Sequence, residues 1–230
     1  MKEFFNFLTS GRVILQEYSF VKNIGNVILG YFIFLSIYIL SLAIFAYFSE
    51  IDTTKTPSAA VGRLNHINIH VRILIVCLIY PILEEIAFRL PLNNNPINII
   101  IGLSFFSLFT STIIRDLINW NNYKYITHII IIIISCFFLC LKQKSIIRIV
   151  ENNYLLFFHL LSLCFCLFHY DSYKVKESPV TSFIPLVSAL FFAYYLSFVR
   201  MKFGFGYSII IHCFHNTLFS LPYIIKNFIR

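Results

Sequence analysis

The sequence predicts an all-α fold, a polytopic bundle of about seven transmembrane helices (six to eight), and three observations carry this. Hydrophobic side chains make up 59% of the chain and charged ones 12%, with a mean hydropathy of +0.80, whereas soluble domains carry charge on about a quarter of their residues. The 18 Lys and Arg and the 10 Asp and Glu gather in short clusters between apolar runs. Those runs are roughly 17 to 25 residues long, the length of helix that crosses about 30 Å of hydrocarbon. Disorder, coiled coil and a secreted disulfide scaffold are excluded by the same composition. Most cations of the +8 net charge flank apolar segments, which makes anionic headgroups of membrane lipids their partners and leaves nucleic acid without support.

Taken in order, residues 1–22 mix Phe4, Phe5, Phe7 and Phe20 with charges, as expected of a segment lying on the bilayer. The first span, about 24–48, is too long for a cleaved signal and is read as retained. A polar loop, 49–70, contains Asp52, Lys55, Pro57, Arg63, His66 and His70 and leads to a second span at about 71–92. The turn-like run Pro91 to Pro96 precedes a third span, 97–114, and then a patch from Arg115 to Tyr125. Trp120, Tyr123 and Tyr125 there suit an interfacial belt. The fourth span, 126–141, is followed by a basic loop with Lys142, Lys144 and Arg148. The fifth is 154–170, and after the loop Asp171 to Pro179 come a sixth at 180–199, a hinge from Arg200 to Gly206 and a seventh at 207–225. No internal repeat is evident. The expected organisation is an N-terminal part, 1–70, and a core, 71–230. Lys and Arg in alternate loops number eight on the N-terminal side and nine opposite, so the charge bias leaves the orientation open. Cys77, Cys136, Cys140, Cys164, Cys166 and Cys213 all fall inside apolar runs, the placement of small hydrophobic side chains rather than disulfide partners.

A charge inside a span costs about 2.5–3.5 kcal/mol on insertion scales, so such residues face a bundle interior or a wet cavity. The second span has three: Glu84, Glu85 and Arg89. Adjacent helical positions differ by about 100°, so the two carboxylates serve different ends. Glu85 and Arg89, at i and i+4 with the acid first, form a favourable intrahelical ion pair. Glu84 has no partner in its own helix, and an unpaired buried carboxylate with raised proton affinity is a plausible general base. The bland alternative is a charge pair locking two helices, or part of an ion pathway.

Among the histidines, His128 can reach the interface and His159 stands alone on an apolar helix, the setting of a satisfied core histidine. His169 closes the fifth span, with Phe165 one turn below it. His212 and Asn216, at i and i+4, project from one face of the seventh helix, while the face of His215 is less certain. Each pattern is weak alone. An intramembrane EExxxR, then FxxxH, then HxxxN on separate helices form a far more specific set.

These motifs resemble those of the CAAX protease and bacteriocin-processing (CPBP, Abi) family of intramembrane peptidases, which includes the type II CAAX prenyl endopeptidases. The match is carried by Glu84, Glu85 and Arg89, by Phe165 and His169, and by His212 and Asn216, over about residues 78–220. In the family the first two motifs commonly lie on nearly consecutive helices; here 75 residues separate Arg89 from Phe165, so the hairpin at about 97–141 reads as an insertion that preserves helix direction. A competing FxxxH in the third span fails, because Phe106 is followed four residues later by Thr110. Glu84 lies about 13 residues into its span and His169 at the end of its own, so their meeting requires a break near Pro81.

The resemblance implies that Glu84 and His169 hold and deprotonate a water, that His212 and Asn216 donate to the oxyanion, and that Glu85 and Arg89 fix the helix and tune the field. It implies an endopeptidase acting on peptides or proteins that are membrane-associated or lipidated. No cofactor is expected in the preferred reading; the alternative is Zn²⁺ held by Glu84, His169 and His212, disfavoured because Asn is a poor zinc ligand and HExxH is absent. Further alternatives are an inactive immunity or scaffold protein, a transporter, which lacks the expected repeats, and a cysteine peptidase using Cys166 or Cys213. Richness in Ile, Phe, Asn and Lys points to a bacterial cytoplasmic membrane, where prenylated substrates are less expected.

Overall fold

The computed structural model describes residues 2–11, 20–49, 68–118, 124–169 and 179–228. Among these, every regular element is helical and no strand occurs. The helices are α1 (Lys2–Ser10), α2 (Phe20–Ser49), α3 (Ile69–Leu74), a π-helical turn Ile75–Ile79, α4 (Tyr80–Phe88), a 3₁₀ turn Leu90–Asn93, α5 (Pro96–Ile118), α6 (Lys124–Leu141), α7 (Gln143–Asn152), α8 (Tyr154–Phe168), α9 (Pro179–Phe203) and α10 (Phe205–Phe228). The predicted spans coincide with α2, α3–α4, α5, α6, α8, α9 and α10 to within a few residues. The polar stretches 50–67 and 170–178, and with them Trp120 and Tyr123, lie outside the described residues.

Among the described residues, two helices are long and apolar enough to cross a membrane, α2 through Asn23–Leu40 and α9 through Leu186–Phe203; α6 and α7 together make a third if their 81° bend lies within one span. α5 and α8 contain shorter apolar stretches. The remaining predicted spans hold the polar site: Glu84, Glu85 and Arg89 interrupt α3–α4, and Ser208, His212, His215 and Asn216 interrupt α10.

Two expectations are corrected. The basic stretch after α6 is a helix, α7, rather than a loop. Ile146, Ile147 and Val150 form one stripe at helical spacing while Lys144 and Arg148 form another, so Val150 is buried and the two cations are exposed. The N-terminal segment does not simply rest on lipid, because α1 docks on the bundle. Phe7 is fully buried, with its ring 4.8 Å from Phe158 and 5.7 Å from Phe198, and Glu3 pairs with Lys202 at the end of α9.

The core is an aromatic and aliphatic cluster drawn from α1, α2, α4, α8, α9 and α10, including Phe7, Tyr31, Phe88, Phe158, Phe165, Phe192, Leu196 and Ile211. Large apolar side chains such as Leu29, Leu40, Ile133, Phe137 and Leu156 point outward, as suits a lipid-facing surface. Helix α5, expected as part of an insertion, packs against this core: Phe106 and Phe109 lie 5.6 and 5.4 Å from Phe88, which also meets Phe165 at 5.4 Å and Phe168 at 5.7 Å.

The α4–α5 contact depends on Gly102. A Cβ there would sit 2.2 Å from Pro91 Cγ and 3.0 Å from the Ile86 carbonyl oxygen, neither of which is the end of a flexible side chain. Gly102→Ala is therefore expected to destabilise the protein by about 1–3 kcal/mol, the cost of overpacking. A thermal unfolding midpoint in detergent equal to that of the wild type would contradict this packing.

Candidate active site

The EExxxR segment begins in an irregular helix. In the π-helical turn the Tyr80 N–H bonds to Ile75 O, five residues back, one residue further than in an α-helix. Pro81 follows in the first turn of α4, where its missing N–H and fixed φ are tolerated. The required break near Pro81 is thus a π-turn rather than a sharp kink, and Glu84 lies only five residues into α4.

Glu84 and Glu85 share His212, each at a different ring nitrogen, but differ in their other neighbours: His169 for Glu84 and Arg89 for Glu85. Glu85 is wholly buried; its Oε1 lies 3.6 Å from Arg89 Nε and 2.9 Å from His212 Nδ1. The i, i+4 ion pair is thereby present, and the Arg89 guanidinium also lies over the Phe165 ring, 3.9 Å from its centroid. Ser208, four residues before His212 on α10, lies near the same carboxylate, while its hydroxyl donates to Phe205 O at 2.9 Å.

Glu84 Oε2 is buried and makes no hydrogen bond among the described residues. It lies 3.4 Å from His212 Nε2 and 3.9 Å from His169 Nε2, with 14% of the Glu84 side chain and 26% of His169 exposed, so solvent reaches this edge of the site. His169 Nδ1 bonds to the carbonyl of Phe165 at 2.8 Å. A carbonyl only accepts, so Nδ1 carries the proton and Nε2 is the nitrogen turned to Glu84. His212 is held in the same manner, its Nδ1 on Glu85 and its Nε2 toward Glu84.

α4, α8 and α10 therefore bring together Glu84, Glu85, Arg89, Phe165, His169 and His212. Asn216 is at the same helical junction, where its Nδ2 donates to Val76 O at 3.0 Å. His159 pairs with the Tyr194 hydroxyl at 2.9 Å, a core histidine as expected; the side chain of His128 lies outside the described residues. Cys166 donates to Leu186 O.

Sequence reasoning missed Ser208, for which the i, i+4 spacing to His212 was an available signal. It also missed Tyr31, whose hydroxyl is hydrogen-bonded to His215 Nδ1 at 3.0 Å. The His215 ring stacks on Phe192 at 3.9 Å, and Phe192 meets His212 edge-on at 5.5 Å. No local pattern links positions 31 and 215.

The fold and this cluster define an all-helical membrane protein with a buried carboxylate–imidazole site. Residues 66–218, about two thirds of the 230, match the family described as type II CAAX prenyl endopeptidase Rce1-like. The chain belongs to this family, and at that level it is an integral membrane peptidase acting on peptide or protein substrates. Comparison with curated proteins and with solved structures gives no match.

Proposed function

We propose that the protein is an intramembrane endopeptidase that hydrolyses membrane-associated or lipidated substrates with Glu84 as general base. The observation that carries this reading is the unsatisfied, buried Glu84 Oε2 facing the Nε2 atoms of two histidines on other helices. Glu84 Oε2 and the Nε2 of His169 lie 3.9 Å apart, and with neutral His169 both are acceptors, a pair suited to the two O–H groups of one water.

In this mechanism Glu84 takes a water proton as the oxygen attacks the peptide carbonyl carbon. The carbon–oxygen bond forms and the carbonyl π electrons move to its oxygen. With both ring nitrogens protonated, His212 donates through Nδ1 to Glu85 and through Nε2 to that oxyanion. Asn216 contributes the amide N–H not engaged with Val76. Collapse of the intermediate breaks the carbon–nitrogen bond, and Glu84 returns its proton to the leaving amine. Glu85 and Arg89 hold His212 and neutralise one another. A chain crossing the bilayer about seven times, in a bacterial cytoplasmic membrane, completes the proposal.

A zinc-dependent version rests on one observation: both histidines present Nε2 to Glu84 while Nδ1 is held by an outer partner, the arrangement seen in metal-ligating histidines. Against it, no group of three His, Cys, Asp or Glu among the described residues is arranged to hold a metal ion, and we derive no step through one.

The test is hydrolysis of prenylated and unprenylated fluorogenic peptides by detergent-purified protein, with and without a chelator, for wild type and His169→Ala. Chelator-insensitive activity that falls about 10²–10⁴-fold in His169→Ala, the range for positioned acid–base groups, is expected. Chelator-sensitive activity would move the site to zinc, and undiminished activity in His169→Ala would remove His169 from it.

A further inference from the structure

Asn216 does something in this structure that an oxyanion donor does not require. In the π-helical turn the Tyr80 N–H is committed to Ile75 O, so it is withdrawn from Val76 O, its α-helical acceptor. The π-helical donor for Val76 O would be residue 81, which is proline and has no N–H. Val76 is buried, and an unpaired buried carbonyl costs about as much as a lost hydrogen bond. Asn216 Nδ2, arriving from α10 at 3.0 Å, supplies the missing donor.

We propose that Asn216 is a positioning residue: it clamps α10 to the π-turn that precedes α4 and thereby sets Glu84 against His212. The clamp lies one helical turn from His212 on α10 and eight residues before Glu84 on the other side, so it fixes the relative height of the two helices that carry the base and the imidazole. This rests on the reading of Glu84 as the general base. The second amide N–H of Asn216 stays available to substrate, and the two roles are separable because only the clamp depends on residue 81. In Pro81→Ala the chain regains an N–H at position 81. Val76 O then has a donor within its own helix, from residue 81 in the π register or from Tyr80 if the turn relaxes to α.

The experiment combines backbone hydrogen exchange with steady-state kinetics on the full chain in detergent, for wild type, Asn216→Ala, Asn216→Asp, Pro81→Ala and the Pro81→Ala/Asn216→Ala pair. Asn216→Asp is nearly isosteric but turns an acceptor oxygen toward Val76 O in place of the N–H donor, which breaks the clamp without a cavity and keeps the test usable if the alanine variant does not fold. The clamp predicts that Asn216→Ala and Asn216→Asp both speed exchange over residues 75–84; kcat falls by more than about tenfold, because the clamp and the donor to the oxyanion are lost together, with KM unchanged within about twofold. On a Pro81→Ala background, Asn216→Ala is predicted to add less than about a threefold effect on exchange over 75–84, the signature of coupled positions, while kcat still falls through loss of the oxyanion donor. Unchanged exchange over 75–84 in both Asn216 variants, or an Asn216→Ala exchange effect as large on the Pro81→Ala background as on the wild-type one, would overturn the clamp. Persistence of full activity in Glu84→Gln would instead remove the general base while leaving the exchange result to decide the clamp.

Discussion

Glu84→Gln is expected to lower kcat by about 10²–10⁴-fold while leaving the unfolding midpoint nearly unchanged, because it removes a proton acceptor and little else. Glutamine keeps the shape of the side chain, and Glu84 Oε2 makes no hydrogen bond among the described residues to lose, so packing is preserved. KM should change little, since the carboxylate acts on water rather than on the resting peptide. The contrast with Glu85 makes the prediction sharp. Glu85 is wholly buried and tied to Arg89 and His212, whereas Glu84 Oε2 has no hydrogen bond among the described residues. A kcat for Glu84→Gln within a few-fold of wild type, measured on folded protein, would leave the ion-pair or cysteine readings in its place.

Arg89→Leu carries the second large effect, on stability. The guanidinium is buried beside an equally buried carboxylate 3.6 Å away and is stacked over Phe165. Removing it leaves the buried Glu85 charge with the His212 contact but without its cation, and breaking a buried pair in this way costs about 3–5 kcal/mol. The double variant Glu85→Gln/Arg89→Leu should be less destabilised than the two single effects added together, because no uncompensated charge remains. Thermal unfolding in detergent reads both quantities, and strict additivity would show that the pair does not act as a unit.

The parts of this site that are legible in the sequence are those set by the geometry of single helices. Spacing of i, i+4 is enough to pair Glu85 with Arg89, and a 100° step is enough to keep Glu84 out of that intrahelical pair. His169 above Phe165 and the shared face of His212 and Asn216 follow from the same periodicity. The order of the motifs indicates which helices meet, and Pro81 marks where the second span has to change.

What stays hidden depends on contacts between distant positions. Proline signals a missing N–H, but a kink and a π-turn are equal answers to it until Asn216 arrives from 140 residues away. The bridging of both carboxylates by His212 needs the height of α10 against α4. Tyr31 reaches His215 from a helix that lies outside the family match. α1 and α7 depart from expectation for a different reason: both are short and rich in charge, and whether one face is buried is decided by the neighbour rather than by the segment. Helix α5 also packs against the core, through a close approach that the glycine at 102 permits.

Whether Glu84 drives peptide hydrolysis can be read from mass-spectrometric detection of cleavage by the wild-type protein and Glu84→Gln reconstituted side by side in liposomes, with chelator present throughout. Prenylated and unprenylated membrane-anchored peptides would be offered together. Defined cleavage products are expected from the wild type and none above background from Glu84→Gln. Equal product from the two proteins would refute the general-base role of Glu84.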